Sequence, residues 1–161
     1  MTARLLLVEP NRGALGVLAE RLRGEGHRII ACEAGAAAVP ELYRLPVDLV
    51  ISELRMAGMS GVELTRLIRD DSMLKDTPVI LITGRSDANG AVDALGAGAD
   101  DVVAKPFDFE VLVARIERGL RRARAVRELR NDNAALDARV VERSLQLNDL
   151  QAELDALKRA S

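Results

Sequence analysis

Aromatic side chains are nearly missing from this chain: they make up 2% of its 161 residues, with no tryptophan, one tyrosine (Tyr43) and two phenylalanines (Phe107 and Phe109). Stacking platforms for single-stranded nucleic acid are therefore excluded. There is one cysteine, Cys32, and one histidine, His27. That scarcity excludes an intramolecular disulfide and a Cys/His zinc cage, and points to a reducing, cytoplasmic setting. No run of about 18 apolar residues exists to span a membrane, and the segment before Glu9 is too short for a secretory apolar region. Charge of one sign is lacking too. With 23 basic against 25 acidic residues the formal balance is -2, which implies no whole-chain attraction to nucleic acid or to an anionic membrane.

What is present is a soluble globular balance, 48% apolar and 30% charged, in a chain long enough for one domain and an appendage. The organising stretch is 48–61, DLVISELRMAGMSG. Leu49-Val50-Ile51 leads to an acid, Glu53, and a turn with Gly58 and Gly61 hands the chain to an amphipathic segment, 62–69. Strands are expected at 4–8, 28–32, 48–52, 78–83 and 101–104. Between them, Asn11 can cap a helix carrying Leu15, Leu18 and Leu22, and 35–44 reads as a helix weakened by Pro40. The helix at 89–95 is expected to be short and mobile, because Gly90 and Gly96 each cost about 0.5–1 kcal/mol against alanine. Asp108 can cap a final helix that continues to about Arg159. Five strands alternating with helices predict an α/β fold, a five-stranded doubly wound parallel sheet. In such sheets chemistry gathers beyond the strand ends, which brings Glu9, Glu53, Thr83 and Lys105 together.

These stretches, LLLVEP, the Glu53 strand and turn, VILITG and VVAKPF, are ordered and spaced so that residues 3–123 resemble the receiver domain of bacterial response regulators, a flavodoxin-like fold. The resemblance implies a two-component signalling module without catalysis of its own, with a histidine kinase as a possible partner. In that family two acids after the first strand hold Mg²⁺ beside an aspartate that takes phosphate from the kinase. A Thr/Ser and a Lys-Pro pair bind the phosphoryl oxygens, and Thr83 and Lys105-Pro106 fit those places. The acids do not fit. The first strand ends in Glu9-Pro10, and proline offers no oxygen to a hard cation, so no cofactor is expected and Mg²⁺ binding should be weak or absent. Glu53 stands where the family has its phosphoacceptor, one methylene longer, and a misplacement of about 1 Å can cost on the order of 10²-fold in transfer. Val102 occupies the position where many receivers carry an aromatic readout residue.

Glu9 and Glu53 form a like-charge pair that raises at least one pKa unless a cation intervenes, and Lys105 is expected to be that cation, with Thr83 able to donate to the same carboxylate. Three readings of Glu53 follow: a structural ion pair, a partial mimic of a phosphoryl group, and a residual phosphoacceptor. His27, between Gly26 and Arg28, is expected at the surface, and Cys32 in the core.

Residues 124–161 are expected to form a second unit, continuous with the last receiver helix. Counting in sevens places Val126, Asn133, Val140, Leu147 and Leu154 at a, with Leu129, Leu136, Arg143, Leu150 and Leu157 at d. β-Branched residues only at a, and leucine at d, predict a parallel dimeric coiled coil whose register Asn133 fixes. Glu153 at g can pair with Lys158 at e, whereas Arg143 at d and the Asp132/Asp137 clash are soft places. Arg115, Arg118, Arg121, Arg122, Arg124, Arg127 and Arg130 crowd the junction. They invite a DNA-binding reading, but the side-chain pattern of a basic region is absent, and a collar paired with acids such as Asp100 and Asp101 is preferred. Residues 135–154 also resemble coils that link receivers to output domains, so the expected role is to pass a signal to an output domain or partner.

Overall fold

The computed structural model describes residues 2–161. Five strands, β1 (Arg4–Val8), β2 (Arg28–Cys32), β3 (Leu49–Glu53), β4 (Val79–Thr83) and β5 (Asp101–Ala104), form one sheet in the order β2-β1-β3-β4-β5. Every neighbouring pair is parallel. Parallel neighbours require crossovers, and these are α1 (Arg12–Gly24), α2 (Gly35–Arg44), α3 (Gly61–Asp70) and α4 (Ala88–Gly96), with α5 (Phe109–Ala160) after the last strand. This is the flavodoxin-like arrangement.

Alternation along the strands sorts the core into two layers. Leu5, Leu7, Leu49, Ile51, Ile80 and Ile82 meet Leu15, Ala19 and Leu22 of α1 and Leu112, Ile116 and Leu120 of α5. On the other face Leu6, Val8, Val50, Val79 and Leu81 meet Ala38 and Leu42 of α2, Leu64 and Ile68 of α3, and Ala94 of α4. Because both faces are covered, the strands read as continuous apolar runs.

Local chemistry sets the helix starts. The Asn11 side chain accepts from Ala14 N at 2.9 Å, as the sequence suggests. Ser60 and Glu63 form a reciprocal capping box that starts α3 at Gly61, one residue earlier than apolar spacing alone indicates. Gly61 is required because a Cβ there would press on the Glu53 carbonyl and Leu54 Cα, and Gly58 turns the preceding loop at a φ of 73°. Pro40 lies inside α2 without ending it.

Two expectations need correction. His27 is not a surface residue: it is only 7% exposed, and its Nδ1 accepts from Ala3 N at 3.3 Å. Burial then holds the imidazole below its usual pKa, opposed by Glu117 and Glu25. Asp100 does not pair with the basic junction; it binds Arg69 at 2.7 Å and accepts from Val79 N at 2.8 Å. Asp101 does pair there, with Arg115 at 2.6 Å and Arg118 at 3.0 Å. Cys32 is buried, as expected, and burial pushes its thiol pKa up, helped by Glu41.

By its contacts the chain divides into Met1–Ala123 and Arg124–Ser161. The second unit is helix through Ala160, and its leucines and valines are exposed, among them Leu129, Leu136, Val140, Leu147, Leu150, Leu154 and Leu157. No helix among the described residues is long and apolar enough to cross a membrane.

Candidate functional site

Strand register brings the singled-out side chains to one end of the sheet. Val8 lies opposite Ser52, Glu53 opposite Ile82, and Thr83 opposite Ala104. Glu9 therefore follows the end of β1, Glu53 ends β3, Thr83 ends β4 and Lys105 follows β5. Backbone bonds hold them there: Glu9 N donates to the Cys32 carbonyl at 3.0 Å, Leu54 N to that of Ile82 at 2.8 Å, and Lys105 N to that of Thr83 at 2.8 Å. The Lys105–Pro106 peptide is cis.

The Lys105 ammonium sits between the two acids. Its Nζ lies 2.8 Å from Glu53 Oε2 and 3.2 Å from Glu9 Oε2. The second contact is a directed hydrogen bond. The first is an ion pair without that alignment, so Glu53 Oε2 is buried with charge beside it and no hydrogen-bond donor aimed at it. The other Glu9 oxygen accepts from the backbone N–H of Asn11 at 2.9 Å, a contact the sequence did not flag because any residue but proline can supply that donor. Burial raises the Glu53 pKa; Lys105 pulls it back, Glu9 adds to the rise, and the net is upward. For Lys105 burial pulls down, but Glu53 and then Glu9 outweigh it, and its pKa rises.

Thr83 does not donate to Glu53. Its hydroxyl donates to the Gly84 carbonyl at 3.1 Å, a neighbouring acceptor that captures it at the strand end. Val102 is half-buried in β5 against the layer shared with α2, α3 and α4. Pro10 is exposed beside Glu9.

A second ion pair borders this end of the sheet and was not foreseen. Arg55, two residues past Glu53, grips Asp87 with both ends of its fork, Nε to Oδ2 at 2.8 Å and Nη2 to Oδ1 at 3.0 Å. Asp87 also caps α4 by accepting from Gly90 N at 2.8 Å. The loop after β3 is thus tied to the start of α4. Gly90 lies so close to Leu54 and Asp87 that a Cβ would collide with both side chains.

Comparison with known proteins agrees with this architecture. The family model described as the response regulator receiver domain matches residues 5–117. The DNA-binding response regulator MtrA of Mycolicibacterium smegmatis is 36% identical over 122 residues, covering 76% of this chain and 52% of MtrA. The response regulator protein FleR of Pseudomonas aeruginosa is 37% identical over 118 residues, 73% of this chain and 24% of FleR. The chain thus spans about half the length of MtrA and a quarter of FleR. Among solved structures, the signal receiver domain of a signal transduction histidine kinase from Syntrophus aciditrophicus superposes with a TM-score of 0.69 at 33% identity, covering 73% of this chain and 89% of that one.

Proposed function

We propose, on the premise that the chain belongs to the response regulator receiver family, that it is a two-component signalling module whose receiver is not conventionally phosphorylated and which works through a parallel homodimer of residues 124–161. Receivers are generally signalling modules rather than enzymes, and histidine kinases are their usual partners. The observation that carries the reading is the Lys105 bridge. Its ammonium lies 2.8 Å from Glu53 and 3.2 Å from Glu9. Both carboxylates of the site thereby share one cation belonging to the chain itself.

The Mg²⁺ that receivers use does not suit this donor set. Two carboxylates remain, one of them also held by Asn11 N, and the neighbouring position is proline. Among the described residues no three His, Cys, Asp or Glu side chains gather as a metal-ligating group. A small, strongly hydrated cation demanding near-octahedral oxygens competes poorly with a resident ammonium there. Glu53 with Lys105 also resembles the phosphate-lysine contact expected of an activated receiver, so the Glu53 carboxylate is a candidate phosphomimic, carrying about one negative charge where a phosphoryl group carries roughly 1.5 to 2.

The dimer rests on the exposed a/d series from Val126 to Leu157, with leucine at every d position except Arg143. Relatives such as MtrA are named as DNA-binding. In this chain two of the junction arginines are engaged by Asp101, so duplex binding is not expected. A steep loss of any such binding with salt would mark the competing reading.

Incubation of the full chain with acetyl phosphate and Mg²⁺, followed by intact mass measurement, tests the receiver half of the proposal. No phosphate-sized gain is expected. A gain abolished by Glu53→Ala would establish the alternative, a receiver still phosphorylated through Glu53.

A further inference from the structure

We propose that the coiled coil carries an anion site at its Arg143 layer, made of four guanidinium groups in the dimer, and that phosphate-type anions tighten dimerisation by occupying it. The inference rests on the parallel dimer proposed above and concerns how that dimer is regulated.

Arg143 is the single charged residue in the ten a and d positions from Val126 to Leu157. In a parallel pair a d residue faces its own counterpart, so the two Arg143 side chains meet in one layer, between layers of Val140 and Leu147. Each Arg143 has Arg139 one helical turn before it, at a g position flanking the seam. The remaining e and g positions bordering the layer are Ser144 and Gln146. None can supply a counter-charge. Glu142 is the nearest acid, but it sits at the outer position c and pairs with neither arginine; among the described residues Arg139 and Arg143 have no ionic partner. Around them the helix presents an open groove of about 800 Å³, with apolar walls from Leu136, Val140 and Leu147 and a polar lining of Arg139, Arg143, Glu142, Ser144 and Gln146. It mixes apolar walls with two guanidinium groups and one carboxylate, so positive charge is in excess on each helix.

Two exits are open to a charge in such a layer. A long side chain can swing its head toward water, which exposed lysines and arginines do readily. Here the swing toward g leads to Arg139 and the swing toward e leads to Ser144, so the guanidinium stays without a carboxylate either way. The other exit is an external anion. Guanidinium forks match tetrahedral oxyanions through paired charge-assisted hydrogen bonds, and the neighbouring apolar layers lower the dielectric in which those bonds act. Four such groups converging on one layer favour a multivalent anion such as inorganic phosphate over chloride.

The test is sedimentation of the full chain in chloride and in inorganic phosphate at equal ionic strength, for the natural sequence and for Arg143→Leu. Phosphate should lower the dissociation constant of the natural dimer by on the order of tenfold relative to chloride. Arg143→Leu should dimerise more tightly than the natural chain in chloride and lose the phosphate response. A dimer equally strong in both salts overturns the anion site and leaves the dimer standing. An equal phosphate response in Arg143→Leu overturns it too, since the salt is then acting on the whole surface. If neither chain dimerises in either salt, the dimer reading itself falls, and the anion site falls with it.

Discussion

Glu53 is a carboxylate that the protein holds in a costly place. Burial, with Glu9 beside it, pushes its pKa above the ordinary glutamate value despite Lys105. The folded state therefore binds a proton at Glu53 more readily than the unfolded chain does. Between the unfolded value near 4.3 and the raised folded value, stability contributed by this group is fully present at the acidic side and is lost as pH rises. Lys105 behaves with the same sign at the alkaline end, its contribution holding below about 10.4 and disappearing as pH climbs through its raised value. Glu53→Gln should flatten the acid-to-neutral part of the stability profile and weaken the alkaline part, since Lys105 keeps only Glu9. Denaturant midpoints across pH will check this; a variant whose profile parallels the natural one would show that Glu53 does not titrate with folding. Phosphotransfer gives a sharper residue-scale prediction. Glu53→Asp alone should stay unphosphorylated, because Pro10 still withholds a metal-binding oxygen. Pro10→Asp combined with Glu53→Asp should gain a phosphate-sized mass from acetyl phosphate and Mg²⁺. If the single variant already gains it, the glutamate's extra methylene is the whole block and Pro10 is incidental.

At the scale of elements, α4 shows what the sequence could and could not tell. Its glycines look alike in sequence, each a helix-weakening residue. In space they differ: a Cβ at Gly96 would meet nothing within 4 Å, whereas one at Gly90 would collide with Leu54 and Asp87. Gly96→Ala should therefore stabilise by about 0.5–1 kcal/mol, the ordinary helix preference. Gly90→Ala should destabilise by about 1–3 kcal/mol, as overpacking outweighs the same preference. Thermal unfolding of the two variants separates these outcomes, and a Gly90→Ala variant as stable as Gly96→Ala would show that α4 simply shifts aside. The strands and the gathering of Glu9, Glu53 and Lys105 were legible because continuous apolar runs ending in a charged residue are local signals. The direction of the Thr83 hydroxyl, the burial of His27 and the Arg55–Asp87 tie were not, because each depends on which neighbour wins a donor or closes over a ring. That tie predicts local behaviour as well: Asp87→Ala removes both the cap and the fork's acceptor, so amide exchange should rise through the start of α4 while the strands stay protected. Unchanged exchange there would mean that α4 is held by its apolar face alone.

For the molecule as a whole, the division at Ala123 separates two kinds of stability. The residues by which α5 serves the sheet, Phe109, Leu112, Ile116 and Leu120, all precede the break. The receiver core is thus complete without residues 124–161, and a chain ending at Ala123 should keep its cooperative unfolding. Residues 124–161 carry no buried side chain of their own, only an exposed heptad series. An amphipathic helix that cannot bury its apolar stripe has little reason to persist alone in water, since most helical stability in proteins comes from packing that stripe. A second copy covering the stripe would remove that cost, and in the proposed parallel dimer Asn133 against Asn133 would fix the register. Sedimentation of the full chain should accordingly give a dimer, and the chain ending at Ala123 a monomer with the same receiver unfolding transition. Asn133→Val should strengthen association while loosening the choice of dimer over larger assemblies. A full chain that sediments as a monomer at all accessible concentrations, with its helical content intact, would mean that the stripe is matched to a different protein, and the signal would then leave this molecule through a heterologous coil.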